Sequence, residues 1–66
     1  MKTLREVLEC ISDRETVDIR DKYGIELDGG YGNAQDVYDS RAQFLDAKVN
    51  FIQANKVGVI GIILAI

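Results

Sequence analysis

Eleven acidic side chains, eight basic ones and no histidine limit the chemistry open to this chain. Nucleophilic catalysis needs a serine, threonine or cysteine with a base in reach. The two serines, Ser12 and Ser40, stand where helix caps belong, and capping accounts for both. Cys10 adjoins a helical apolar stripe and reads as a structural thiol. Asp18, Asp28, Asp36, Asp39 and Asp46 could converge for acid–base work, although so acidic a chain brings some carboxylates together by composition alone. Calcium takes roughly six to eight oxygens from closely spaced acids around a glycine turn. The stretch from Asp28 to Asp36 has oxygens and glycines without the Asp-x-Asp-x-Asp-Gly spacing, so a solvated bend is the ordinary reading. Gly29, Gly30 and Gly32 would cradle a phosphate only between a strand and a helix N-terminus, usually with a lysine. The residues that follow, Asn33 to Asp39, are acidic and declare no element, so conformational need explains the glycines better. Tyr23, Tyr31 and Tyr38 suit either a recognition surface or partial burial around a polar tip. The expectation is a non-enzymatic protein with no catalytic, cofactor-binding or metal-binding residues and no cofactor.

The elements that would position these groups follow from spacing. Thr3 and Glu6 form a capping box, and Leu4, Val7, Leu8 and Ile11 then draw one apolar stripe along a short helix closed by Ser12 and Asp13. Thr16 to Arg20 alternates as a half-buried strand. Asp21-Lys22-Tyr23-Gly24 suits a turn whose last residue takes positive φ, and Ile25 to Asp28 returns as its partner. That register sets Ile19 opposite Leu27, Arg20 opposite Glu26, and Asp18 opposite Asp28. The glycines around Tyr31 require a bulge, a bend or a turn. Ser40-Arg41-Ala42-Gln43 is a second capping box, predicting one helical turn over 41–45. From Ala47 alternation resumes, with Val49 and Phe51 on one face. A second hairpin follows near Asn55-Lys56-Val57-Gly58. A two-residue loop there pairs Phe51 with Ile60, whereas a three-residue loop pairs it with Ile63.

The closing run, Val57 to Ile66, has no charged or polar side chain. A half-buried strand alternates; this one is apolar on both faces, so both faces need cover from the same chain or from a second copy. An unprotected strand of this composition templates aggregation. Ile60, Ile62, Ile63, Leu64 and Ile66 are therefore the candidate contact residues of a self-associating protein, a homodimer. Sixty-six residues make one domain, 1–66, with no linker and no proline. A net charge of −3 with scattered lysines and arginines argues against nucleic acid and against an anionic membrane surface. One cysteine allows no internal disulfide, and the apolar run is about half the ~20 residues of a spanning helix. Early acidic residues argue against a secretion signal. A cytoplasmic location is the expectation.

The pieces Ile11-Ser12-Asp13, Asp21-Lys22-Tyr23-Gly24 and Leu45-Asp46-Ala47-Lys48-Val49 resemble those of short, acidic, uncharacterised bacterial and phage-type proteins. That resemblance spans most of the chain and implies a fold without an activity. The chain departs from it in the last strand, where alternating charges would stand. The initial helix and the spacing Ile19, Gly24, Leu27, Gly29 also resemble Sm-like small barrels. Those build rings by strand-edge pairing and bind RNA, but their RNA-binding residues have no basic counterpart here. The combined expectation is an α+β domain: an N-terminal helix packed on a small, curved antiparallel sheet of about four strands, a partly open barrel included. Its function would be a self-associating protein-interaction module with an unknown protein partner. The rivals are a ring-forming nucleic-acid binder and a small metal-dependent enzyme using clustered carboxylates.

Overall fold

The computed structural model describes residues 2–40 and 43–66, and of Asn55 and Lys56 the backbone alone. The capping box forms as the sequence requires. The Glu6 amide donates to Thr3 Oγ1 at 3.3 Å, and the Thr3 amide donates to Glu6 Oε1 at 2.9 Å. Helix α1 then runs Leu4–Cys10 and buries Leu4, Val7 and Leu8. Two turns of helix are marginal alone in water, so docking of this stripe holds α1 in place. The bond from the Thr3 amide, with the threonine hydroxyl second, lowers the Glu6 pKa below the usual carboxylate range. A carboxyl whose folded pKa is depressed contributes stability above its unfolded value and loses it as pH falls through the folded value. The melting-temperature gap between the wild type and Glu6→Gln should therefore narrow as pH drops below about 4, which thermal melts across an acid series will read.

The remaining elements are β1 (Thr16–Arg20), β2 (Glu26–Asn33), α2 (Ala34–Asp39), a 3₁₀ turn (Gln43–Asp46), β3 (Val49–Lys56) and β4 (Val59–Leu64). The fold is α+β, with a curved four-stranded sheet that does not close. Its order is β2-β1-β4-β3. Both hairpins are antiparallel, but they join through a parallel β1–β4 pair in which Thr16 meets Val59 and Arg20 meets Ile63. The sheet is thus mixed where all-antiparallel pairing was expected. The reason is that β4 is apolar on both faces, and an interior position satisfies that composition better than an edge.

Leu4, Leu8, Val17, Ile19, Val37, Leu45, Ile62 and Leu64 meet in one core between the sheet and the two helices. Helix α2 has no counterpart in the sequence reading. Asn33 caps it, accepting the Asp36 amide at 2.8 Å, and it buries Ala34 and Val37. Tyr38 ties it to α1 by donating its hydroxyl to Glu9 at 2.8 Å, and the acceptance by that carboxylate raises the Tyr38 pKa. The 3₁₀ turn lies at Gln43–Asp46 and buries Leu45. Arg41 and Ala42 of the proposed second capping box lie outside the described residues.

The turns behave as their residues dictate, while the registers carry corrections. Gly24 and Gly58 take φ of 83° and 81°. Arg20 faces Glu26 as expected, but the ladder then slips and Asp18 faces Tyr31, not Asp28. Gly30 is the cause. A Cβ there would lie 2.9 Å from Ile19 Cβ and 2.9 Å from the Leu27 carbonyl oxygen. The absent side chain lets the bulge fold down onto β1. In the second hairpin Phe51 pairs with Ile63, the longer-loop alternative, although Asn55 and Lys56 continue the strand and Val57-Gly58 makes the turn. A further slip between Val49 and Phe51 separates two residues assigned to one face. Val49 meets Leu64 on the core side and Phe51 meets Ile63 on the other.

Candidate interaction surface

The five apolar residues singled out in the closing strand do not share one surface. Ile62 and Leu64 are fully buried in the core beneath the helices. Ile63 is buried on the opposite, helix-free face, between Arg20 of β1 and Phe51 of β3 in the ladder. Ile60 is half-buried against the core, opposite Ala54. Only Ile66 is largely open, at 47% exposed, and its carbonyl accepts the Lys22 amide at 3.1 Å. Ile62, Ile63 and Leu64 are therefore covered by their own chain. The inference that both faces of β4 need cover was sound, and the chain supplies most of that cover itself.

The uncovered apolar surface lies one strand over. At its start β3 is flanked by the N-terminal segment, where the Val49 amide donates to the Lys2 carbonyl at 2.8 Å and the Leu4 amide donates to the Ala47 carbonyl at 3.0 Å. Beyond that point β3 is the sheet edge, with no described strand beside it. Asn50 to Ala54 is exposed throughout. Phe51 is 49% and Ile52 is 53% exposed, one on each face, and Val57 stands wholly in solvent at the hairpin tip. From Val49 to Asn55 there is no charge and no proline. Natural sheet edges usually carry a lysine, a proline or a bulge to deter pairing. The opposite edge, β2, is distorted by its glycines and continues directly into α2, whereas the irregularities of β3 fall at its two ends and leave Phe51 to Ala54 in unbroken register with β4. This asymmetry was readable as an uncharged run, but assigning the run to an edge required the strand order.

The helix-free face also holds Asp18, the one acidic or basic side chain buried in the sheet among the described residues. Asp18 is 5% exposed, and its Oδ2 accepts from Arg20 Nε at 3.1 Å, with Nη2 at 3.0 Å. Arg20 Nη1 also donates to the Gly24 carbonyl at 2.8 Å, so one guanidinium fastens the strand to its turn. Asp18 Oδ1 is buried without a hydrogen-bond partner among the described residues. Its neighbour on β4 is Gly61, which offers no side chain toward it. Such a carboxylate depends on its arginine, since an unpaired buried charge is costly.

The other candidate groups stay apart. Among the described residues no three acidic, cysteine or histidine side chains come within reach of a common metal ion, so Asp18, Asp28, Asp36, Asp39 and Asp46 form no cluster. The glycine segment does lead from a strand into a helix, but Asn33 already caps that helix, and no lysine stands in the segment. Cys10 is exposed at the end of α1. Tyr23 and Tyr31 are exposed, and Lys22 Nζ lies 5.3 Å from the centre of the Tyr23 ring. Among the described residues no helix is long and apolar enough to cross a membrane. Comparison of the chain with protein-family models, with curated proteins and with solved structures finds no match.

Proposed function

We propose that the protein is a non-enzymatic interaction module that joins a second copy of itself edge to edge through β3. The observation that carries this reading is the unprotected edge: exposed, uncharged Asn50 to Ala54, with Phe51 and Ile52 open on its two faces. Strand addition extends the sheet by main-chain hydrogen bonds and buries the Phe51 and Ile52 side chains at once. A two-fold axis at Ile52 would pair the segment with itself antiparallel, Ile52 against Ile52 and Phe51 against Gln53. Between Asn50 and Ala54 no charged side chains would then meet along the seam, and only at its ends does the register bring Lys56 of one copy toward Lys48 of the other. Closed two-fold pairing also uses up the edge, which prevents further growth.

Solution mass is the direct test. The wild type should move from 7.4 kDa toward twice that value as concentration rises into the high micromolar range. Ile52→Lys should hold the monomer mass throughout, because a buried ammonium would face its own copy across the axis. Its unfolding free energy should stay within about 0.5 kcal/mol of the wild type at monomeric concentrations, since the site is exposed. A wild type that remains monomeric at high micromolar concentration rejects the reading.

A further inference from the structure

A second surface lies around Leu27, away from the β3 edge. Two open depressions meet at that residue, one of about 390 Å³ and one of about 470 Å³. The larger has an apolar floor made by Leu27, Phe44, Ala47 and Ile66. Ile25, two residues before Leu27 in the chain, is itself largely exposed, as is Ile66. Exposed apolar groups gathered beside a concave surface mark a contact site more reliably than scattered ones.

Among the described residues that line these two depressions, every charged side chain is acidic. Glu26 and Asp28 line the smaller depression and Asp46 the larger, and among the described residues no lysine or arginine lines either. Asp46 is ion-paired with Arg5, whose Nε lies 3.2 Å from Asp46 Oδ1. Glu26 and Asp28 are exposed and make no ion pair among the described residues. Arg20 stands across the ladder from Glu26, but its guanidinium is committed to Asp18 and the Gly24 carbonyl. An apolar floor beside the unpaired carboxylates of the adjoining depression selects for a ligand that is apolar at its centre and cationic next to it.

We infer that this groove binds a short peptide segment carrying an apolar side chain flanked by lysine or arginine. A second copy of this chain is a poor occupant, because an acidic molecule would bring like charge to Glu26 and Asp28. Anionic lipid is disfavoured for the same reason. The inference concerns a surface separate from β3, so it stands or falls independently of the dimer.

The test uses the whole chain and a fluorescently labelled short peptide of alternating lysine and leucine, followed by anisotropy. Saturable binding is expected, weakening at least about tenfold between low and high salt as the Debye length shortens. The double variant Glu26→Lys/Asp28→Lys should bind at least about tenfold more weakly, with Glu26→Gln/Asp28→Asn in between. Ile66→Ser should also weaken binding, and at high salt as well as low. All variants should keep the wild-type melting profile and concentration-dependent mass, which separates loss of the groove from loss of fold or of dimer. Equal binding of a glutamate–leucine peptide, unchanged affinity in the charge-reversed chain, or no saturation at high micromolar protein would each overturn the inference. Competition by Ile52→Lys protein used as the occupant would place a second copy in the groove and overturn it too.

Discussion

Ile62→Asp should leave the chain unfolded in buffer at room temperature. Ile62 has no exposed surface and lies in the strand between β1 and β3, facing Ile19 and Ile52 in the two ladders. The substitution removes a fully buried isoleucine, worth about 1.5–3 kcal/mol of burial. It also places a carboxyl where no partner stands, costing several kcal/mol more whether it stays charged or takes up a proton. A domain of this size has a total stability of roughly 3–10 kcal/mol at the usual per-residue scale. The loss exceeds most of that range. Far-UV circular dichroism without denaturant gives the answer, and a native spectrum with a cooperative melt would contradict the interior placement of β4. Ile52→Lys, one ladder position away on the exposed strand, is the matched control and should fold.

Gly30→Val should cost about 3 kcal/mol or more, read as a fall in the urea midpoint at unchanged slope. The first added carbon already meets Ile19 Cβ and the Leu27 carbonyl oxygen at 2.9 Å each, a separation that real side chains do not tolerate. Neither neighbour can yield, because one is the root of a core side chain and the other is backbone. Relief would require opening the β1–β2 bulge and with it the cover over Ile19. Gly24→Ala provides the contrast. Its φ of 83° strains an L-residue, but nothing lies within 4 Å of the added carbon. The expected cost there is only about 1 kcal/mol. Equal losses at the two positions would mean that conformational preference, rather than close approach, dictates both glycines.

Local chemistry proved readable in this chain, and long-range arrangement did not. The α1 capping box, the Asp21–Gly24 turn and the Arg20–Glu26 pairing follow from residues a few positions apart, and each is present. The slip at Gly30 lay beyond reach because a run of glycines permits a bulge without saying how many residues it absorbs. Helix α2 escaped notice because Gln35, Asp36 and Asp39 dilute a stripe only six residues long, though Asn33 before Asp36 was a usable capping signal. Strand order was the largest gap. Alternation tells which face of a strand is buried and is silent on its neighbours, so the doubly apolar β4 was compatible with cover from a second copy. The candidate surface moved accordingly, from Ile62, Ile63 and Leu64 to Phe51 and Ile52, residues whose exposure follows from β3 being outermost.

The parallel seam between β1 and β4 carries a kinetic cost. Thr16 must find Val59 across about two-thirds of the chain, and such distant closure slows folding relative to hairpin or helix formation. Until that seam closes, Val17 and Ile19 of the first hairpin stand without their neighbours on β4. Refolding should therefore be limited by the arrival of the later strand in the vacant middle of the sheet.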